Sequence, residues 1–149
     1  MTDTTTAAPL SAPLYGATFG QAITRFFKKY GTFSGRASRS EFWWWYLFYA
    51  IVSGVLYGIA ATVGAASATV SDDGTMVVFG PGFWIAGIPY MLWALATIVP
   101  WLALAWRRLH DTNRSGGFYF LGLIPLVGGI ILLVFFLLPS DPAGARFDR

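Results

Sequence analysis

The chain has 149 residues, of which 56% are hydrophobic and 11% charged; a soluble domain carries about twice that charged share, so a water-soluble globule is excluded as the default. With no cysteine, disulfides and thiolate chemistry are excluded. The net charge of +3 does not point to nucleic acid, because the basic residues sit at the ends of apolar runs and form no basic face on a soluble body.

Residues 1–17 are dominated by Thr, Ala, Pro and Ser and hold no Lys or Arg. They read as a disordered N-terminal tail and do not resemble a signal peptide. Over residues 18–30, Phe19, Ile23, Phe26, Phe27 and Tyr30 recur at i, i+4, i+7, i+8 and i+11, one face of a helix. Arg25, Lys28 and Lys29 occupy much of the remainder. The pattern predicts an amphipathic helix lying in a membrane interface; a helix packed on the rest of the protein is the alternative.

Three runs then lack charge altogether: 42–71, 74–106 and 115–140. Each is long enough for a membrane-spanning helix of about 20 residues. Ser38 and Glu41 form an S-x-x-E capping box before the first run, which sets a first span at about 38–63. Trp43, Trp44, Trp45 and Tyr46 fall near its start, where aromatic rings favour the headgroup level. Gly54 and Gly58 make a G-x-x-x-G, suited to close packing inside a bundle or to dimerisation. Residues 64–82 read as a loop with Asp72 and Asp73 as its charges. The second span is expected at about 83–106, kinked by Pro89 and Pro100. Residues 113–117 read as a turn, with Ser115 the N-cap of a third span at about 118–138. Pro139 ends it, and residues 141–149 are a polar C-terminal tail. The expected fold is thus an all-α integral membrane protein, with three transmembrane helices and an N-terminal amphipathic interfacial helix in one membrane domain over 18–140.

Lys and Arg mark the cytoplasmic side. Five precede the first span, none lies in the first loop, three lie in the second, and two in the tail. The N-terminus and residues 107–117 are therefore expected in the cytoplasm, and with three spans the C-terminus outside. This places Arg36, Arg39 and Glu41 on the same face as Arg107, Arg108, His110, Asp111 and Arg114. If the helix continues, Arg107, Asp111 and Arg114 share a side, Arg108 reaches Asp111 at i, i+3, and Glu41 is available to an arginine of the second cluster.

Two readings of these residues stand side by side. One is an ion-pair network tying the first helix to the second loop. The other is a binding site for anionic lipid headgroups or for a partner membrane protein. Catalysis has little support: His110 and Asp111 are adjacent and point apart, and neither G-x-S-x-G nor H-E-x-x-H occurs. One histidine and no cysteine make a thin zinc ligand set, so no metal and no cofactor is expected. The spans lack the ionisable groups that mark ion pathways.

Residues 33–43, FSGRASRSEFW, together with 107–116, RRLHDTNRSG, resemble the bacterial membrane-protein family called domain of unknown function 805. The resemblance covers about Phe19 to the tail. Matched positions are Gly35, Arg36, Arg39, Glu41, Phe42 and Trp43, then Arg107, Arg108, Leu109, His110, Asp111, Ser115 and Gly116. It implies a small bacterial inner-membrane protein with a few transmembrane helices and supplies no activity. The chain departs at Gly117 and Phe118, where members often carry Trp, and at residues 144–148, where the family's tail has an Asn and a final Gly.

The resulting expectation is a multi-pass protein of the bacterial inner membrane, non-enzymatic, acting as an accessory or interaction protein. Its arginine-rich face would meet anionic lipid, another membrane protein, or a second copy of itself, and no nucleic acid. The alternatives are an oligomeric transporter or channel component, and a lipid-headgroup enzyme using His110 and Asp111.

Overall fold

The computed structural model describes residues 8–148. It is mostly helical. The order is α1 (Phe19–Lys28), α2 (Arg39–Ala66), a hairpin of β1 (Thr69–Val70) and β2 (Val77–Val78), α3 (Pro81–Asp111), a 3-10 helix (Gly116–Leu123), α4 (Gly128–Leu137) and a terminal 3-10 helix (Pro142–Phe147). The chain divides into two compact units. One is drawn from Met1–Tyr46 and Val99–Arg149, the other is Leu47–Ile98, and α2 and α3 run through both.

In the first unit, Thr18 opens α1 with a capping box. Its hydroxyl accepts from the Gln21 amide at 3.4 Å, and the Gln21 side chain accepts from the Thr18 amide at 2.9 Å. The buried face of this helix carries Ala22, Arg25 and Phe26, with Lys29 buried at its C-cap, while Phe19, Phe27 and Tyr30 are exposed. Apolar spacing thus located the helix but not its inward face. Arg25 and Lys29 turn inward because a buried carboxylate, Glu41, lies there. Trp45 is likewise a core residue and not a headgroup anchor: it is fully buried and stacks on Phe26 at 3.3 Å between ring centroids.

Of the expected disordered tail, residues 1–7 lie outside the described residues, and 8–17 are held to α1 and α2 at a few points. Pro13 and Ala17 are buried. The Leu14 and Ala17 amides donate to Glu41 and to the Ser40 hydroxyl at 3.0 and 2.9 Å.

The S-x-x-E box of the first span is present. Ser38 N–H donates to Glu41 Oε2 at 2.9 Å, and Glu41 N–H to Ser38 Oγ at 3.2 Å. The helix that follows has 28 residues and α3 has 31, and both are apolar enough to cross a membrane. At 1.5 Å per residue each exceeds the roughly 30 Å hydrocarbon core. Pro89 and Pro100 do not interrupt α3. It ends in a Schellman motif: Asn113 has φ +59, its amide donates to the His110 carbonyl, and the Arg114 amide to that of Leu109, both at 2.9 Å.

The third apolar run does not form one helix. It splits into the 3-10 helix and the ten-residue α4, joined by Pro125 and by Leu126 at φ +67. Proline removes a helical donor, and the left-handed residue reverses the chain. The two pieces lie antiparallel. Phe118 meets Phe135 at 6.0 Å between centroids, and Gly122 and Gly128 approach Leu132 and the Leu121 carbonyl so closely that a Cβ would clash. Residues 140–148 therefore return to the end of α3 that carries Asp111, where the Asp141 amide donates to the Asp111 carbonyl at 2.8 Å. Residues 140–148 thus lie at the same end of the first unit as residues 107–117.

In the second unit the two long helices meet through Trp93. Its indole N–H donates to the Ser53 hydroxyl at 3.1 Å, and its ring lies 5.9 Å from that of Tyr49. The expected loop is shorter than 64–82 and contains the antiparallel hairpin, with Thr69 opposite Val78 and Val70 opposite Val77. At its turn the Asp73 carboxylate accepts from the Thr75 amide at 3.1 Å and from the Ser71 hydroxyl, which lower its pKa to about 2. A Cβ on Gly54 or Gly58 would meet nothing within 4 Å among the described residues.

Candidate functional site

The charged residues of both motifs gather in the first unit, around two buried carboxylates. Glu41, in the first turn of α2, accepts from Arg25 Nε at 2.5 Å and from the Leu14 and Ser38 amides at 3.0 and 2.9 Å. The remaining Arg25 donors go to the carbonyls of Ala8, Pro9 and Ala12 at 2.9, 3.3 and 2.6 Å, which straps the 8–14 segment to α1. Lys29 and Arg107 also act on Glu41 at longer range. Both are 1% exposed, and Lys29 Nζ and Arg107 Nη2 have no hydrogen-bond acceptor among the described residues. Burial lowers the Lys29 pKa from 10.5 to about 8.

Asp111, at the last turn of α3, is the second centre. Arg108 Nη1 and the Ser140 hydroxyl donate to its Oδ2 at 2.5 Å each, the Tyr15 hydroxyl donates to Oδ1 at 3.2 Å, and Arg36 Nη1 lies at 3.9 Å. Arg108 also donates to the carbonyls of Phe136, in the last turn of α4, and Leu138, its C-cap. Arg39 donates to the Leu137 carbonyl. These arginines complete carbonyls that the C-terminal end of a helix leaves without partners.

Arg36 holds the tail. Its Nε and Nη2 grip the Asp148 carboxylate at 2.9 and 2.6 Å, which raises the arginine's pKa. The Gly35 amide donates to the Phe147 carbonyl at 2.8 Å, and the Ala37 amide to that of Arg107 at 3.1 Å. Gly35 is required here: its φ is +78, and a Cβ would lie 2.5 Å from the Ser11 carbonyl oxygen. His110 Nδ1 is 3.0 Å from the Gly35 carbonyl, so that nitrogen carries the proton, and its ring stacks on Phe147 at 4.0 Å. An open cavity of about 500 Å³ beside this stack is lined by Ser34, His110, Ser115, Arg146 and Phe147.

The sequence motifs therefore meet, with the pairing partly redistributed. Arg108–Asp111 forms as the i, i+3 spacing predicts. Because α3 ends at Asp111, Arg114 does not continue the side that Arg107 and Asp111 share at i, i+4. Arg107 donates to the Ala103 carbonyl, and Arg114, beyond the helix end, stacks on Phe135 at 4.4 Å and donates to the Thr112 carbonyl. Glu41 makes its ion pair with Arg25 of α1 and not with an arginine of the second cluster. Sequence reasoning missed Arg25, Lys29, Tyr15, Ser140 and Asp148. The available signal was Glu41 itself, a carboxylate at the mouth of a charge-free run with basic residues one helix away. No group of three His, Cys, Asp or Glu suited to a metal occurs among the described residues.

The family model described as "Protein of unknown function (DUF805)" matches residues 30–149. The chain is 38% identical to inner membrane protein YhaI of Escherichia coli strain K12 over 124 residues, 82% of this chain and 87% of that protein. It is 32% identical to inner membrane protein YhaH of the same strain over 120 residues, 80% of this chain and 87% of that one. No solved structure matches it.

Proposed function

Because the chain belongs to the DUF805 family of proteins of unknown function, we propose that it is a non-enzymatic accessory protein of the bacterial inner membrane whose charged end binds anionic lipid headgroups. The observation that carries this reading is the charge distribution. Among the described residues, nine cations and four carboxylates belong to the first unit, an excess of five positive charges, whereas the connection after α2 holds Asp72 and Asp73. Basic residues concentrate on the cytoplasmic side of spans. With α2 and α3 as the two spans, Lys and Arg of both motifs and of the tail fall on one side, and the C-terminus is cytoplasmic with them.

Within this reading the arginines divide by role. Arg25, Arg36, Arg107 and Arg108 are committed to internal carboxylates and carbonyls and form the scaffold. Arg39, although exposed, caps the Leu137 carbonyl, while Lys28 and Arg146 are exposed and Arg114 half-buried, and these three form the headgroup-binding rim. Each basic residue near an anionic surface contributes about 1 kcal/mol. His110 and Asp111 face different partners, which supports positioning over acid–base chemistry. The test is native mass spectrometry of protein extracted gently from its membrane. Lys28→Gln/Arg146→Gln should lose co-purifying anionic lipid with little change in thermal stability. Retention of the same lipid by this variant would refute headgroup binding and redirect attention to a protein partner.

A further inference from the structure

We propose that the antiparallel pair formed by residues 116–137 is a re-entrant hairpin, immersed in the hydrocarbon of the leaflet next to the charged end, with acyl chains of that leaflet as its partner. Both ends of the pair are tied to one place. At its start, Arg114 stacks on Phe135 and the Phe120 ring lies 6.2 Å from that of Trp106. At its finish, Arg108 donates to the Phe136 and Leu138 carbonyls, and Ser140 and Asp141 bond Asp111. The Phe136 ring packs 4.6 Å from that of Phe42, one turn inside α2 and so on the apolar side of the capping box.

The reach of the pair is half a membrane. Ten α-helical residues rise about 15 Å, and the eight of the 3-10 helix about 16 Å, against a hydrocarbon core of about 30 Å. Immersion, and not a position along the surface, follows from composition. No charged residue occurs over 115–140, and α4 is apolar on all sides. A helix lying in the interface presents a polar face to water, and α4 has none. The most exposed residues are at the tip, with Leu123 79% and Leu126 94% exposed. A leucine so placed is stable in hydrocarbon and costly in water. Gly122 and Gly128 let the two backbones close together.

The chain has no cysteine, so single substitutions report position directly. Gly31→Cys, Asp72→Cys and Ala143→Cys, treated with a membrane-impermeant maleimide in intact spheroplasts and after permeabilisation, give the sidedness. Ala143→Cys should behave as Gly31→Cys, reacting only after permeabilisation, while Asp72→Cys reacts in intact cells. Reaction of Ala143→Cys together with Asp72→Cys would mean that 116–137 crosses the bilayer, and would overturn the proposal. A nitroxide on Leu126→Cys in reconstituted vesicles gives the depth. High oxygen and low nickel-chelate accessibility, of the kind found near mid-bilayer, is expected. An interfacial ratio would place the hairpin flat at the surface and would equally overturn it.

Discussion

Glu41 begins α2, seals its first turn, anchors the 8–14 segment and neutralises Arg25, all from a nearly inaccessible position. Removing its charge leaves Arg25, Lys29 and Arg107 facing one another in a poorly solvated interior. Glu41→Gln should therefore cost about 3–5 kcal/mol, the range found when one partner of a buried pair is removed, and show as a large drop in melting temperature in detergent. Lys29 presents the opposite case. A folded-state pKa of about 8 against an ordinary 10.5 means that the unfolded chain binds the proton more tightly. Burying the charged amine thus costs roughly 3 kcal/mol below pH 8. The sign follows: stability should rise as pH climbs from about 8 to 10.5 and level off beyond it. Lys29→Met should raise the melting temperature at pH 7 and flatten that rise; a wild-type curve that falls through this window would contradict the burial of the amine.

At the scale of elements, helix ends decide where charge is placed. The Schellman motif at Asn113 stops α3 one turn after Arg108, so Arg108 meets Asp111 on the helix while Arg114 leaves it. The carbonyls that close α4 are met by Arg108 and Arg39, residues of other helices. Arg108→Leu removes donors to Phe136, Leu138 and Asp111 together and should detach the tail. Increased proteolysis between residues 138 and 148 is the expected readout, with the 39–111 region intact. Gly128→Val, which forces a side chain against the Leu121 carbonyl, should cost at least about 2 kcal/mol through overpacking. Gly54→Val should cost far less, because a Cβ there meets nothing within 4 Å.

At the scale of the molecule, the proposed two-span insertion with both termini in the cytoplasm rests on the excess of positive charge in the first unit and the pair of aspartates after α2. Under this arrangement the two C-terminal arginines no longer conflict with the charge asymmetry, as they do in a three-span reading. A C-terminal reporter fusion should be active only where a cytoplasmic reporter is active. Reversing that asymmetry with Asp72→Lys/Asp73→Lys should lower the fraction of correctly inserted protein by several-fold, because two new cations then compete for the cytoplasmic side.

Composition and local spacing by themselves determined the helical class, the two long apolar helices, the Ser38–Glu41 cap, the turn at Asn113 and the Arg108–Asp111 pair. These depend on hydropathy over about 20 residues or on neighbours within one helical turn, both of which are written locally. The third run reads as one helix because it is free of charge over a span's length, while Pro125 and the conformation of Leu126 reverse it. Only the tertiary structure decided that Arg25 and Lys29 turn inward, that Trp45 is core, and that Arg36 reaches Asp148 across 112 positions of sequence. The physical reason is that a buried carboxylate selects its cations by distance in space, and distance in space is not encoded in the order of residues along the chain.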